Sequence, residues 1–99
     1  MLNIEKTINA SELTVALTGR LDTTTAPDLE KELKASMDGI ASLVIDMTAL
    51  EYISSAGLRV LLSAHKAMSS KGGLKVTNVN EIVREVFEVT GFADILTIE

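Results

Sequence analysis

The chain has no cysteine and no tryptophan, one histidine, one proline, and aromatic residues at only 3% of its 99 positions. Each scarcity excludes something. Without cysteine there is no disulfide framework and no thiolate nucleophile, and the cytosol is the natural compartment. One histidine without cysteine gives no convincing zinc site. The amino-terminal residues Met1 to Lys6 carry no signal-peptide apolar core, and no apolar run approaches the roughly 20 residues of a membrane span. Basic residues are few as well: Lys+Arg 9 against Asp+Glu 14, a net charge of -5. With no Lys/Arg run, that balance argues against non-specific binding to nucleic acid or to an anionic membrane. A soluble, cytoplasmic protein without membrane insertion is the expectation.

What remains is aliphatic. Hydrophobic residues make up 46% of the chain, so Leu, Ile, Val, Ala and some Met must build the core. A chain of this length buries roughly 60–70% of its unfolded surface, enough for one modest core, and one domain over residues 1–99 is expected. No repeat, linker or low-complexity tract interrupts it.

In order, Ile4 and Ile8 among polar neighbours give a weak edge strand, and Asn9-Ala10-Ser11 a turn. Leu13, Val15 and Leu17 alternate with smaller or polar residues, a strand signal. Residues 18–25 read as a polar loop. Thr25-Ala26-Pro27-Asp28 starts a helix with a Thr cap, Pro in the first turn and an acid three residues on. Ala26, Leu29, Leu33 and Met37 form its inner stripe, Glu30 and Lys34 an outer i, i+4 pair, and Asp38-Gly39 its stop. Leu43-Val44-Ile45 is a buried strand. A second helix runs from about Ser55 to Ser70, with Leu58, Leu61, Leu62, His65 and Met68 inward and Arg59, Ser63, Lys66 and Ser70 wet. Lys71-Gly72-Gly73 ends it. Leu74 and Val76 mark a strand. Asn80 caps a third helix that turns Ile82, Val83, Val86 and Phe87 inward and closes at Gly91, and Ile95 to Ile98 form a last extended segment. The order β-β-α-β-α-β-α-β predicts an α/β fold. Its small mixed β-sheet is covered by helices, with one antiparallel strand and right-handed parallel crossovers.

The chain delivers two adjacent hydroxyls, Ser54 and Ser55, from the end of a strand to the mouth of a helix. In open α/β sheets the carboxyl ends of strands are where ligands and partners are met. The bland alternative is that one serine merely caps the helix; likewise Asp22 is readable as a turn former, and Glu51 and Tyr52 as surface residues. Arg59 is readable as a solvated residue; in the first turn it opposes the helix dipole, a small cost that adds some weight to a partner contact. An enzyme reading is poor. His65 falls on an apolar stripe as a satisfied core-edge histidine, Gly72-Gly73 lacks a dinucleotide or phosphate-loop pattern, and neither serine sits in a G-x-S-x-G elbow.

The segment Ile45-Asp46-Met47-Thr48-Ala49-Leu50-Glu51-Tyr52-Ile53-Ser54-Ser55-Ala56-Gly57-Leu58 resembles the signature of STAS domains, the sulfate-transporter and anti-sigma-factor-antagonist family. That signature is an apolar strand, D/N-L-S, an aromatic and an apolar residue, then D-S-S/A-G-L. Leu17-Thr18-Gly19-Arg20-Leu21-Asp22 resembles the family's earlier L-x-G-x-L-D element. Gly72-Gly73 before a strand, and Val86-Phe87 through Gly91-Phe92, fit as well, so the resemblance spans essentially the whole chain. It implies a STAS-like fold and, for a free-standing member, an anti-sigma factor antagonist. In that family a partner serine kinase, itself the anti-sigma factor, phosphorylates the serine two places before the motif glycine. The unphosphorylated form binds the partner and releases a sigma factor. On Gly57 that serine is Ser55.

The implied partner-binding set is Asp22, Thr24, Ser54, Ser55, Ala56, Gly57 and Arg59. There is no catalytic residue, metal or cofactor of the chain's own; ATP and magnesium belong to the partner. The chain is expected to be a monomer or weak dimer. One departure stands out: the family's commonest residue before the acceptor is Asp, whereas Ser54 removes that charge and adds a second hydroxyl. The alternative implied by the resemblance is a non-phosphorylated STAS subunit of a lipid-transport or signalling assembly. A third reading is binding of a small apolar ligand or nucleotide. Neighbouring genes, for a kinase or for a permease and ATPase, separate the first two.

Overall fold

Strict alternation makes the second strand: Leu13, Val15 and Leu17 are buried while Thr14 and Ala16 between them are half-buried. The computed structural model describes residues 2–99. Its elements are β1 (Leu2–Asn9), β2 (Glu12–Leu21), α1 (Ala26–Ser36), β3 (Ser42–Ile53), α2 (Ser55–Met68), β4 (Leu74–Thr77), α3 (Glu81–Thr90), a 3-10 turn (Phe92–Asp94) and β5 (Thr97–Ile98). The strands lie in sequence order, β1-β2-β3-β4-β5. β1 pairs β2 antiparallel and every later pair is parallel. The mixed α/β architecture read from the sequence is therefore the one observed.

One face of the sheet carries the core. Leu13, Val15 and Leu17 of β2, Leu43, Ile45 and Met47 of β3, and Leu74 and Val76 of β4 are all buried. The alternate residues Val44, Asp46 and Thr77 stay half-buried. Consecutive strand order with crossovers of one hand puts the helices on the same face, where α1 contributes Leu29 and Leu33, α2 contributes Leu58, Leu61 and Met68, and α3 contributes Val83 and Phe87.

β2 and β3 run further than their hydrophobicity suggests. Residues 18–21, read as loop, continue β2, and β3 continues from Asp46 to Ile53. The reason is a pair of β-bulges. Ala16 faces Asp46 but Thr18 faces Ala49; Gly19 faces Leu50 but Arg20 faces Tyr52. Each step inserts one extra residue into β3. Met47, Leu50 and Ile53 are three apart, a spacing that sends side chains to opposite faces of a regular strand. With the bulges all three stay buried.

The helices also depart from expectation in particular places. Thr25 occupies the N-cap position of α1 without a side-chain cap. Its hydroxyl turns back instead, accepting from the Asp22 amide at 2.8 Å and donating to the Arg20 carbonyl at 2.9 Å. α2 stops at Met68, two residues short, with Leu62 and His65 only half-buried. His65 is not satisfied as expected: its Nδ1 is buried with no hydrogen-bond partner among the described residues. Asn80 caps α3 as read, accepting from the Val83 amide at 2.9 Å, and Gly91 ends it at φ 81°, a left-handed conformation that suits glycine. Ile82, expected inside, is 63% exposed. Its neighbour Val83 takes the core position, on the face it shares with buried Phe87 four residues on.

This contrast is measurable by chemical denaturation. Phe87→Ala should cost about 3–5 kcal/mol, as large-to-small changes at fully buried aromatics do. Ile82→Ala should stay within about 0.5 kcal/mol. Comparable losses at both positions would contradict the inner face assigned to α3.

Candidate functional site

The carboxyl ends of β2 and β3 lie side by side. Leu21 faces Ile53, and the Ser54 amide donates to the Leu21 carbonyl at 2.9 Å. That one bond sets Asp22, the next residue of β2's exit, beside the entrance of α2. The structure thus brings Asp22 and Thr24 to the same end of the sheet as Ser54, Ser55, Ala56 and Gly57.

The two serines separate. Ser54 is the N-cap, with extended backbone, and its hydroxyl accepts from the Gly57 amide at 3.4 Å. Its carbonyl begins the helix by accepting from the Leu58 amide at 2.9 Å. Ser55, the first helical residue, is exposed, and among the described residues its hydroxyl has no hydrogen-bond partner. It sits at the positive end of the helix dipole, in a first turn whose amides have no intrahelical acceptors. Arg59 is exposed four residues on, hence one turn above Ser55 on the same helix face.

Gly57 is buried for a steric reason. A β-carbon there would stand 2.7 Å from Leu21 Cγ and 3.0 Å from Ile53 Cγ1. Its helical backbone places no demand on φ; the demand is room for the two strand ends that pack beneath α2.

Asp22 is a turn former as well as a neighbour of the serines. Its Oδ1 accepts from the Thr24 amide at 3.0 Å, the Thr24 hydroxyl at 2.7 Å and the Thr25 amide at 3.1 Å. Its carbonyl accepts from the Ala26 amide at 2.8 Å. The bonds to Oδ1, that from the Thr24 hydroxyl foremost, hold its carboxyl below the ordinary value of 3.8. Asp46 is lowered in the same way, first by the Thr48 hydroxyl and then by the Thr48 amide, with help from Asn78 Nδ2 at 3.1 Å.

Two residues outside the sequence-derived set join the site. The Arg20 guanidinium lies over the Tyr52 ring, 4.4 Å from its centroid, and its Nε is 4.0 Å from Asp22 Oδ2. Both side chains stand on the uncovered face of the sheet, opposite to buried Leu21 and Ile53. Cation–π contacts of this exposed kind contribute about 0.5–1 kcal/mol. The pair becomes adjacent only through the second bulge, which aligns Arg20 with Tyr52 instead of with Glu51. No spacing in the sequence carries that signal. Asn80 is tied in too, donating through Nδ2 to the Leu50 carbonyl at 2.7 Å, so the cap of α3 also braces β3.

The arrangement is a polar rim at the carboxyl ends of β2 and β3. Among the described residues no three of His, Cys, Asp and Glu group closely enough to hold a metal ion, and no helix is long and apolar enough to cross a membrane. What the rim offers is an exposed hydroxyl, an arginine-on-tyrosine platform and a carboxylate with one oxygen engaged in its own turn.

The chain belongs to the STAS domain family, whose profile matches residues 3–99. It is 31% identical over 98 residues to an anti-sigma-B factor antagonist of Bacillus subtilis, covering 98% of this chain and 90% of that one. It is 41% identical over 88 residues to BtrV of Bordetella bronchiseptica, a candidate anti-sigma factor antagonist by name, covering 87% of this chain and 76% of the other. A crystal structure of an anti-sigma factor antagonist from Mycobacterium paratuberculosis superposes with a TM-score of 0.91 at 25% identity, covering 99% and 85% of the two chains.

The division between the serines is open to direct measurement. Ser54→Ala should cost roughly 0.5–1 kcal/mol as a lost cap, while Ser55→Ala should leave stability within about 0.5 kcal/mol. Urea titrations in which Ser55→Ala is the more damaging change would reverse the assignment.

Asp22 predicts an acid dependence. Its folded pKa lies below the unfolded one, so its contribution is fully present above the unfolded value and fades as pH falls through the folded one. Thermal melts from neutral pH to about pH 2 should therefore drop on the acid side. Asp22→Asn keeps an acceptor at Oδ1 but no titrating charge, and its acid drop should be shallower. An unchanged acid limb in the variant would remove Asp22 from the account.

Proposed function

We propose that the protein is an anti-sigma factor antagonist whose partner, a serine kinase acting as the anti-sigma factor, docks on the rim around Ser55 and is captured only while Ser55 is unphosphorylated. The observation that carries this reading is the exposed, unengaged hydroxyl of Ser55 beside a neighbouring serine already committed to the cap. The names of the relatives point the same way. On this reading the protein catalyses nothing. Asp22, Thr24, Ala56, Gly57, Arg59 and the cap itself form the docking surface. The kinase brings ATP and its magnesium, and the antagonist works in the cytoplasm.

The switch follows from charge. A phosphoryl group adds about -1.5 to -2 at neutral pH. On the first residue of α2 it meets free amides, the positive end of the dipole, and Arg59 one turn away. This favours the fold by about 0.3–1 kcal/mol. A docked partner would have to desolvate the same dianion. A charge desolvated at an interface without a partner from the other chain costs several kcal/mol, and each 1.4 kcal/mol is tenfold in affinity. Folding and binding therefore respond with opposite signs. Ser54, neutral where an acid is commonest in the family, leaves the acceptor without a competing negative charge before modification.

With the cognate kinase and ATP, peptide mass mapping should find one phosphate, on Ser55, present in Ser54→Ala and absent in Ser55→Ala. The phosphorylated form should melt at or slightly above the unmodified temperature and bind the partner at least about 100-fold more weakly. Phosphate retained in Ser55→Ala, or equal affinity of the two forms, would refute the mechanism.

A further inference from the structure

The two edges of the sheet are built differently. β5 is an edge of two residues, preceded by a 3-10 turn. β1 is an edge of eight residues whose pairing with β2 runs without a break from Leu2↔Gly19 to Asn9↔Glu12. It has no bulge and no proline, and its end carries Ile8 at 63% exposure. Long, flat edges of this kind are templates for strand addition unless something guards them.

Which backbone groups face outward follows from the ladder. The carbonyls of Ser11, just before β2, and of Leu21, its last residue, accept from Ala41 and Ser54, which flank β3, so odd-numbered residues of β2 point their backbone groups toward β3. β2 contains no bulge, so its even-numbered residues face β1. Their partners there are Asn3, Glu5, Thr7 and Asn9. The N–H and C=O groups of Leu2, Ile4, Lys6 and Ile8 therefore point away from the sheet, and among the described residues no strand covers them. The side chains of these same four lie on the helix-covered face, as the Lys6–Glu32 ion pair with α1 at 2.7 Å shows.

We infer that β1 is a self-association edge, at which a second copy of the chain adds antiparallel and continues the sheet across a two-fold axis centred on Thr7. Outward groups must meet outward groups, so the residue numbers of each facing pair sum to an even number. Centring on Glu5 or Lys6 sets like charges directly opposite each other, which is unfavourable. Centring on Ile4 leaves Ile8 in water. Centring on Ile8 runs into the turn, where Ala10 has φ 57°. Centring on Thr7 sets Thr7 against Thr7, Asn9 against Glu5, and Ile8 against the aliphatic stem of Lys6 in the second copy. No like charges face each other. The pairs of Lys6 with Ile8 exchange both backbone hydrogen bonds, and the Thr7 pair is of the close, non-hydrogen-bonded kind, about 4.5 Å between Cα atoms.

The axis lies far from the serines. Thr7 faces Thr14, seven residues before Leu21, or about 23 Å along β2. Both rims stay open in the dimer, and the inference stands independently of the kinase reading.

The absence of cysteine makes a clean test. Thr7→Cys should form an intermolecular disulfide under mild oxidation, since the expected Cα separation suits one. Asn3→Cys, on the same face of β1 but off the axis, should not. In sedimentation equilibrium the weight-average mass should rise with concentration from 10.6 kDa toward twice that value. Ile8→Pro deletes an outward N–H and no bond to β2, and should stay monomeric with an unchanged circular-dichroism spectrum. Ile8→Lys should give the same result if the proline disturbs the strand. A wild-type chain monomeric to about 1 mM, a dimer that survives both Ile8 variants, or equal cross-linking by Asn3→Cys would overturn the proposal.

Discussion

Everything where α2 leaves the sheet depends on how β3 is held against β2 beyond the regular ladder. Two extra residues in β3 let Met47, Leu50 and Ile53 all reach the core although they are three apart. The hydrogen bond from the Ser54 amide to the Leu21 carbonyl then closes the pairing at 2.9 Å. Were either bulge absent, the parity of the strand would invert, burying Tyr52 or exposing Ile53. Gly57 belongs to the same constraint, since α2 starts directly above Leu21 and Ile53 with no room for a β-carbon.

From that junction the local chemistry follows. A helix beginning at a strand end leaves donors without partners. Ser54 satisfies one, and in doing so releases Ser55 from a structural task. Across the junction Asp22 does a comparable job for its own turn, gathering the amides of Thr24 and Thr25. Two short polar segments, each fixed by its own side chains, thus meet without needing bonds to each other. Such an edge exposes polar groups to solvent while the aliphatic core beneath stays undisturbed.

Burial on one face only has a second consequence. The helices leave the opposite face of the sheet to half-buried Thr14, Ala16, Val44 and Thr77 and to the stacked Arg20 and Tyr52. That face is polar enough to remain wet. The edge of β1 carries Glu5 on that same face, its one cation, Lys6, is turned toward Glu32 on α1, and the strand ends in exposed Ile8.

The sequence by itself determined the element order, the antiparallel first strand, the aliphatic core, the caps at Asn80 and Gly91, and the delivery of two serines to the mouth of α2. These are properties of neighbours in the chain: alternation, helical spacing and capping chemistry act over a few residues and are legible one window at a time. Tertiary structure alone decided the rest. The length of β2 and β3 came from pairing between residues some thirty positions apart, which rescued Thr18, Gly19 and Arg20 from their loop-like composition. The bulges have no composition of their own, so the inward turn of Leu50 and the meeting of Arg20 with Tyr52 were invisible before the register was known. Ser54 and Ser55 are identical side chains, and only the geometry of the helix start set one hydroxyl over the Gly57 amide and left the other in water. Ile82 and Val83 are both apolar and adjacent, and the core had room for one of them.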